Sequence, residues 1–269
     1  MAVSLTNALR AEYKRLFETC EIRPGRRGAV GTITDNILSN KDRYVGAGRP
    51  LGIPWYFIGF VHSLESSLSF KRHLHNGDPL TARTVQVPAG RPAAGAPPFT
   101  WEVSAADSLA FQRLDRVTDW SLAGTLFQLE KYNGFGYRSQ TPVIPSPYLW
   151  SFSNHYTKGK FVADGRFDAN AVSQQCGAVT LLRRMAERQI VAFDAEGNPV
   201  AGSAPAPVAG VEPFVTFSET IESDAARKLQ RQLNTFPGIF LQVDGVPGSK
   251  TSDALKRATG HFLKGDPRL

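Results

Sequence analysis

The sequence of 269 residues predicts a mainly helical α+β protein with two folded units and a linker between them. Apolar residues recur at helical spacing in several segments, whereas residues 81–87 alternate as a β-strand does. Residues 201–210 consist of small residues and prolines without periodicity, which is typical of a semi-stiff linker. We therefore expect a large domain at 1–192, a linker at 193–217 and a small helical bundle at 218–269.

The helices of the large domain are predicted from their apolar faces and from the residues that end them. The first has an apolar stripe that includes Leu9 and Phe17, and the Pro24-Gly25 pair stops it. The expected helices span residues 5–20, 34–44, 54–70, 102–112, 118–132 and 170–188.

Three segments of the large domain break this helical pattern. The Asn-Gly-Asp-Pro run at 76–79 is typical of a tight turn, and the following residues 81–87 predict one strand of a small β-hairpin. Residues 88–98 are rich in Pro, Gly and Ala and predict a loop. Residues 133–168 are rich in Gly, Pro and aromatic side chains and predict irregular structure that lines a cleft.

Composition and charge limit the classes of partner. A hydrophobic content of 42% and a charged content of 20% are ordinary for a globular protein. The net charge of +7 favours contact with polyanions such as nucleic acid, anionic membrane surfaces and bacterial wall polymers. The arginine pairs at 26–27 and 183–184 are short and scattered and show no recognition pattern, so we expect no nucleic-acid partner.

The ends, the apolar segments and the cysteines give three further expectations. The N-terminal residues 1–10 lack the basic segment and apolar core of a secretory signal. No apolar stretch approaches the roughly 20 residues that are needed to span a bilayer. Cys20 and Cys176 are expected to be buried free thiols rather than a disulfide.

A single glutamate, Glu65, lies in the apolar segment 55–70. At helical spacing it shares a side with Ile58, Val61, His62, Leu68 and Ser69. A carboxylate among such neighbours loses hydration, so its pKa rises and it can donate a proton near neutral pH. Asp78 follows in a polar turn and is expected to stay ionised.

Two motifs of the large domain carry a family resemblance: the Glu-Ser-Ser run at 65–67 and the Tyr-Asn-Gly segment within residues 131–137. The first resembles the catalytic Glu-Ser segment of the lysozyme and soluble lytic transglycosylase superfamily, and the second is similar to that family's Tyr-Asn-x-Gly segment, which lines the sugar cleft. Tyr156 resembles a later tyrosine near the glutamate. The resemblance implies a lysozyme-like fold of the phage endolysin kind, with Tyr132, Asn133 and Tyr156 as substrate-binding residues.

The C-terminal unit resembles the small peptidoglycan-binding module of the three-helix type. The pattern consists of a Leu-Gln pair at 229–230 in a helix at 225–234, an Asp-Gly-x-x-Gly-x-x-Thr turn at 244–251 and a closing helix at 252–263. The glycines permit the tight turn, and Thr251 is expected to cap the last helix. The resemblance implies a three-helix bundle with peptidoglycan as the partner.

These resemblances imply a muramidase that cleaves the β-1,4 bond between N-acetylmuramic acid and N-acetylglucosamine. Such chemistry needs an acid for the glycosidic oxygen, here Glu65, and a second carboxylate, here Asp78. Thr81 and Thr84 can alternatively hold the water. We expect a monomer without metal or organic cofactor. It would act on the bacterial cell wall, in the periplasm or outside the cell, after phage lysis or export by a dedicated secretion route.

Three alternatives stay open at this point. Without a second carboxylate, the same acid would make a lytic transglycosylase, whose products end in 1,6-anhydro sugars. His73 and His75, with Asp78 or His155, can alternatively bind zinc in a wall amidase or peptidase. The third alternative is a wall-binding protein without catalytic activity.

Overall fold

The computed structural model describes residues 3–163, 165–200 and 215–269. These residues form ten α-helices and two small antiparallel sheets of two strands each, and 46% of the chain is helical. The predicted mainly helical α+β class is thereby confirmed. Residues 201–214, the middle of the predicted linker, lie outside the described residues.

Eight α-helices build the large domain. They are α1 (Asn7–Glu18), α2 (Arg27–Ser39), α3 (Lys41–Gly48), α4 (Trp55–Ser66), α5 (Trp101–Phe111), α6 (Leu122–Asn133), α7 (Pro147–Trp150) and α8 (Ala178–Glu187). Three begin at a hydroxyl cap, since the side chains of Thr6, Thr100 and Ser121 each accept a hydrogen bond from a backbone N–H of the first turn. Four short 3-10 turns lie between the helices, at Pro24–Arg26, Arg49–Leu51, Leu114–Arg116 and Gly136–Ser139.

Helix α4 runs through the centre of the hydrophobic core. Its buried residues are Tyr56, Phe57, Ile58, Gly59, Phe60, Val61, His62, Leu64 and Ser66. A helix that is apolar on nearly every side must be enclosed by others, and α2, α3, α6 and α8 all contact it. Gly59 permits the closest approach, because a Cβ there would lie 2.6 Å from Cγ2 of Ile37 on α2. The core thus fixes the position of the carboxyl end of α4.

Several predicted helix bounds were wrong. The helix predicted at 34–44 is two helices, α2 and α3, which meet at Asn40. Helix α4 ends at Ser66 rather than at residue 70, because Ser67 and Leu68 adopt left-handed conformations with φ of 52° and 60°. Helix α8 begins at Ala178, eight residues later than the start predicted at 170.

The small sheets lie elsewhere than predicted. Strands β1 (Lys160–Ala163) and β2 (Arg166–Asp168) form a hairpin inside the segment predicted to be irregular. Strands β3 (Ala192–Phe193) and β4 (Pro199–Val200) form the second, which extends into the predicted linker. The segment 81–87 is not a strand. The backbone N–H groups of Val85 and Gln86 donate to the carboxylate of Asp78, and that of Thr84 donates to the carbonyl oxygen of Arg91 within a loop.

The C-terminal unit has two helices where three were predicted. Within residues 215–269 they are α9 (Asp224–Leu233) and α10 (Ser249–Thr259). Irregular chain completes the small core, which consists of Val215, Ala226, Leu229, Leu233, Ile239, Leu241, Ala254, Leu255, Ala258 and Leu263.

The predicted capping role of Thr251 was also wrong. Helix α10 begins at Ser249, three residues earlier than predicted, and Glu219 accepts a hydrogen bond of 3.1 Å from the backbone N–H of Ser249. The Thr251 hydroxyl is buried instead and donates to the carbonyl oxygen of Val246 at 3.3 Å. Thr251 therefore stabilises the turn that precedes the helix.

Gln230 holds the same turn from the opposite side. Its side chain is buried, and its Nε2 donates to the Asp244 carboxylate at 2.7 Å and lies 3.1 Å from the Thr251 hydroxyl. Its Oε1 accepts from the backbone N–H of Gly245 at 2.8 Å. The side chain of Gln230 thus bonds both an acceptor of the Asp-Gly turn, the Asp244 carboxylate, and a donor, the N–H of Gly245. It thereby joins helix α9 to this turn.

The C-terminal unit packs against the large domain beside α8. Arg183 of α8 is fully buried, and its guanidinium donates to the carbonyl oxygens of Phe17 at 3.1 Å and Leu241 at 2.9 Å. The rings of Phe17 and Phe240 meet edge to face, with their centroids 5.1 Å apart. A buried arginine between two units satisfies carbonyl oxygens of both, so separating them would leave polar groups unpaired.

Candidate active site

Glu65 lies in the last turn of α4, next to two residues that line a cleft, Leu64 and Tyr148. Its side chain is partly buried, and its Oε1 accepts a hydrogen bond of 2.9 Å from the hydroxyl of Tyr148. Tyr148 belongs to the short helix α7, which begins with Pro147 and is 83 residues further along the chain. The acid is therefore placed by a rigid core helix and oriented by a second element.

The electrostatics of Glu65 agree with the expectation from the sequence. Burial raises its pKa to about 7, although the hydrogen bond from Tyr148 acts in the opposite direction. Burial, and then the charge of Glu65, raise the pKa of Tyr148 and that of Tyr132 above the usual value for a phenol. Both tyrosines thus stay protonated donors, and Glu65 is the one of these three groups that exchanges a proton near neutral pH.

The cleft beside Glu65 has a volume of about 470 Å³. Leu64 and Tyr148 line it next to the acid, and its other walls carry Asn133, Gly134, Gly136, Tyr137, Pro147, Lys160, Phe161, Ala163, Gly165, Ser173 and Gln175. Helices α6 and α7 and the β1–β2 hairpin therefore converge on one site. Such a mixture of aromatic faces and amide, hydroxyl and amino groups is suited to a sugar, which presents apolar faces and many hydroxyl groups.

Gln175 is a cleft residue that the sequence did not reveal. Its Nε2 donates to the carbonyl oxygen of Leu64 at 3.0 Å, one residue before the acid. It also lines a second cavity of about 290 Å³, together with Ser63, Ser67 and other residues. Gln175 thus lies between two cavities that flank the end of α4.

Two of the predicted substrate-binding residues lie near the acid. Asn133 lines the cleft, and its Nδ2 lies 3.4 Å from the hydroxyl of Ser146. Tyr132 lies close enough for the Glu65 charge to affect its pKa, and its hydroxyl is 3.3 Å from that of Ser108. The Tyr-Asn motif at the end of α6 thus borders the candidate site, while its contact with substrate stays a prediction.

Tyr156 lies behind the cleft wall rather than beside Glu65. Its buried hydroxyl accepts from the backbone N–H of Ser173 at 3.1 Å and donates to the carbonyl oxygen of Gly159 at 3.2 Å. Ser173 lines the cleft, so Tyr156 supports the wall. Its predicted role as a substrate-binding residue has no direct support from these contacts.

The segment after α4 returns to the acid through a tight hairpin. The left-handed Ser67 and Leu68 reverse the chain, and Arg72 pairs with Pro79 in an antiparallel bridge. Gly77 at the tip, with φ of 79°, lies against the backbone of Glu65, where a Cβ would be 2.7 Å from the Glu65 carbonyl oxygen. Only glycine fits both this conformation and this approach.

Asp78 is carried on this hairpin, but its carboxylate holds the following loop. Its Oδ2 accepts from the backbone N–H groups of Val85 at 2.9 Å and Gln86 at 3.1 Å, and from Nδ2 of Asn76 at 3.1 Å. Burial acts to raise the pKa of Asp78, but these hydrogen bonds outweigh it and lower the pKa. Asp78 is therefore ionised at neutral pH, and its role in catalysis stays a prediction.

The two threonines proposed to hold water differ in their surroundings. Thr81 is exposed. The Thr84 side chain is buried, and its hydroxyl accepts from the backbone N–H of Arg91 at 2.9 Å and donates to the carbonyl oxygen of Pro88. That hydroxyl closes the loop 84–91, so Thr84 acts in the structure as a loop-forming residue.

The histidines of the zinc alternative are engaged with protein groups. Both ring nitrogens of His73 are hydrogen-bonded, Nδ1 with the Ser104 hydroxyl and Nε2 with the Ala82 carbonyl oxygen, each at 2.8 Å. His75 Nε2 lies 2.8 Å from the carboxylate of Asp107. In the part of the chain that the structure describes, no group of three or more His, Cys, Asp or Glu is arranged to bind a metal ion.

Comparisons with known proteins add no relative. No family model, no curated protein and no solved structure matches the chain.

Cys20 and Cys176 are both buried and free, as expected. Among residues 3–163, 165–200 and 215–269, no helix is long and apolar enough to cross a membrane.

Proposed function

We propose that the chain is a peptidoglycan muramidase in which Glu65 is the general acid. One observation carries this proposal: a glutamate with a pKa of about 7 is oriented by Tyr148, which lines a cleft of about 470 Å³ together with Leu64, the residue before the acid. Strongly raised carboxyl pKa values in clefts are typical of catalytic acids. The lysozyme-like superfamily would then be the nearest description of the large domain, and the sequence motifs around Glu65 and Asn133 support it.

The proposed reaction begins with protonation of the glycosidic oxygen. An alkoxide is a poor leaving group, so the bond breaks only as the acid delivers its proton and positive charge develops on the sugar ring. Because the pKa of Glu65 is raised to about 7, the group can both give a proton and take one back near neutral pH. Tyr148 would keep the carboxyl group in a single orientation during this exchange.

Hydrolysis is the proposed outcome, with Asp78 as the ionised partner that stabilises the cationic ring or the attacking water. A specific observation favours a second candidate, a lytic transglycosylase. The Asp78 Oδ2 already accepts three hydrogen bonds from the hairpin and the loop, so it is a loop-holding group in the free protein. With one available acid, the substrate's own acetamido group would complete the reaction and leave a 1,6-anhydro end.

The C-terminal unit and the charge support the proposed substrate. Gln230 and the Asp-Gly turn have the pattern of a wall-binding module, and a net charge of +7 favours an anionic wall at low salt. We propose a monomer that acts on the bacterial cell wall without a metal or organic cofactor, after phage lysis or a dedicated secretion step.

Release of soluble fragments from purified peptidoglycan sacculi tests this function. We expect Glu65→Gln to reduce the initial rate by a factor of at least about 100, the lower range for loss of a general acid. Glu102→Gln is the matched control, because Glu102 is an exposed helix residue that pairs with Arg43 on the surface. Activity should persist in EDTA; loss of activity there would favour the zinc alternative.

A further inference from the structure

A third cavity lies between the two units, away from the Glu65 cleft. It has a volume of about 310 Å³, and residues of both units line it. Arg184 and Glu187 come from α8 of the large domain, whereas Gln242, Asp244 and Lys250 come from the C-terminal unit. Its volume is within the range of small-ligand sites. A site of this kind exists only while the two units are docked.

The docking contacts are specific and surround this cavity. The guanidinium of Arg231 on α9 makes two hydrogen bonds with the Glu21 carboxylate, at 2.7 and 3.1 Å. Arg27 of α2 donates to the carbonyl oxygen of Val243 at 2.6 Å. With the buried Arg183, and with Arg184, which donates to Gln242, four arginines join the units, and two of them bind backbone carbonyl oxygens. These contacts favour one fixed arrangement of the units.

The acidic side chains that line the cavity are already engaged. Glu187 accepts from Arg183 at 3.2 Å. Glu219 caps helix α10 through Ser249, as described above. Asp244 accepts from Gln230 and from the backbone N–H of Val246. These carboxylates therefore have structural partners within the protein.

The cationic side chains of the cavity keep donors to spare. Nη1 of Arg184 donates to Oε1 of Gln242 at 2.7 Å and to Oε2 of Glu187 at 3.5 Å, whereas its Nη2 makes no hydrogen bond among the described residues. Lys250 is exposed and makes no hydrogen bond or ion pair within the same described part of the chain. The acids of the cavity have partners, whereas Lys250 and Nη2 of Arg184 are available to a ligand. The cavity is therefore suited to a carboxylate ligand.

On the basis of the wall-degrading function proposed above, we propose that this cavity binds the carboxylate groups of peptidoglycan peptide stems through Arg184 and Lys250. Three carboxylates in the wall of the cavity disfavour a more highly charged anion such as a phosphodiester polymer. Wall recognition is then a joint property of α8 and the C-terminal unit, rather than of a freely tethered module.

Binding of the full chain to purified sacculi tests this site separately from catalysis. The chain carries Glu65→Gln, so it does not digest its ligand, and the sacculi are free of teichoic acid. We expect Arg184→Ala and Lys250→Ala each to weaken the apparent affinity by about tenfold, as loss of a charge-assisted contact does. Arg188→Ala and Lys228→Ala are matched controls, because both residues lie on the same two units outside the cavity and remove the same charge.

A second arm of the same experiment identifies the ligand. In this arm, an amidase removes the peptide stems from the sacculi, and the chain with both Arg184 and Lys250 intact is tested on them. We expect it to bind these stripped sacculi about as weakly as Arg184→Ala and Lys250→Ala bind intact sacculi. Equal binding by all four variants would overturn the site, and unchanged binding to stripped glycan would overturn the stem as its ligand. Lys250→Ala keeps the test sound if Arg184→Ala disturbs folding, since Lys250 is exposed.

The outcome is also independent of the proposed reaction. If the wild-type chain releases no glycan fragments but the cavity variants bind sacculi weakly, the proposed chemistry fails while the stem site stands. If fragments are released normally and all variants bind alike, only the stem site fails.

Discussion

The hydroxyl of Tyr148 donates a hydrogen bond of 2.9 Å to the carboxylate of Glu65, across 83 residues of sequence. This contact joins the end of the central helix α4 to the short helix α7, and Tyr148 lines the cleft of about 470 Å³. It determines how the acid is oriented and moderates the rise in its pKa. The predictions about catalysis below therefore depend on these two residues.

The first prediction concerns the pH dependence of the wild-type reaction. Because Glu65 must be protonated to act as the acid, kcat/KM should fall about tenfold per pH unit above its pKa of about 7. The acidic limb, set by Asp78 if it is the ionised partner, should lie below the usual pKa of an aspartate. A rate profile on soluble glycan fragments from pH 3 to 10 checks both limbs. A rate that rises steadily to pH 9 would exclude Glu65 as the acid.

The second prediction concerns Tyr148→Phe. The tyrosine hydroxyl lowers the pKa of Glu65, so its removal should raise that pKa further and move the alkaline limb to higher pH. The maximal rate should also fall, because the carboxyl group loses its orienting partner. Tyr56→Phe, on the same helix as Glu65 and outside the cleft, is the matched control and should leave the profile unchanged. An unshifted limb in Tyr148→Phe would show that the hydrogen bond does not affect the acid.

The third prediction concerns stability rather than rate. The pKa of Glu65 is raised in the folded protein, so the unfolded chain loses that proton at lower pH and the free energy of unfolding falls as pH rises from about 4.5 to about 7. Glu65→Gln removes this pH-dependent fall in the free energy of unfolding, and its amide oxygen still accepts the hydrogen bond from Tyr148. It should therefore be about 3 kcal/mol more stable than wild type at pH 8 and nearly equal at pH 4.5. Urea unfolding at both pH values measures the difference, and a constant difference would contradict a raised pKa.

The fourth prediction concerns the C-terminal unit. Gln230→Ala leaves the N–H of Gly245 without its acceptor and removes the amide that Asp244 and Thr251 contact. We expect a loss of about 2–3 kcal/mol in the free energy of unfolding of this unit, by urea titration of the full chain. Gln232→Ala on the same helix is exposed and should change stability by less than about 0.5 kcal/mol. Equal effects of the two substitutions would contradict the role of Gln230.

The sequence predicted the central helix and the acid within it, because the relevant information is local. A segment that is apolar on nearly every side must be buried, and a lone carboxylate inside it must lose hydration. The same reasoning did not find where the helix ends. Ser67 and Leu68 are ordinary helix formers by composition, and their left-handed conformations follow from the hairpin that packs Gly77 against Glu65.

Contacts between distant segments were the part that the sequence could not predict. Nothing local marks Tyr148 as the partner of Glu65 or Gln175 as the residue beside Leu64, since both reach the site from far along the chain. The sequence predicts Asp78 as a turn residue and as the second carboxylate, but does not show that its Oδ2 accepts from the N–H groups of residues 85 and 86. That interaction also explains why the predicted strand at 81–87 does not form.

The most direct test of the central claim is mass spectrometry of the soluble products that wild type and Glu65→Gln release from purified sacculi. We predict disaccharide-peptide fragments with cut glycan and intact stems from wild type, ending in reducing N-acetylmuramic acid, and almost none from Glu65→Gln. Products ending in 1,6-anhydro sugars would keep Glu65 as the acid but replace hydrolysis by transglycosylation. Cut peptide stems, or equal digestion by Glu65→Gln, would contradict the claim that Glu65 cleaves the glycan.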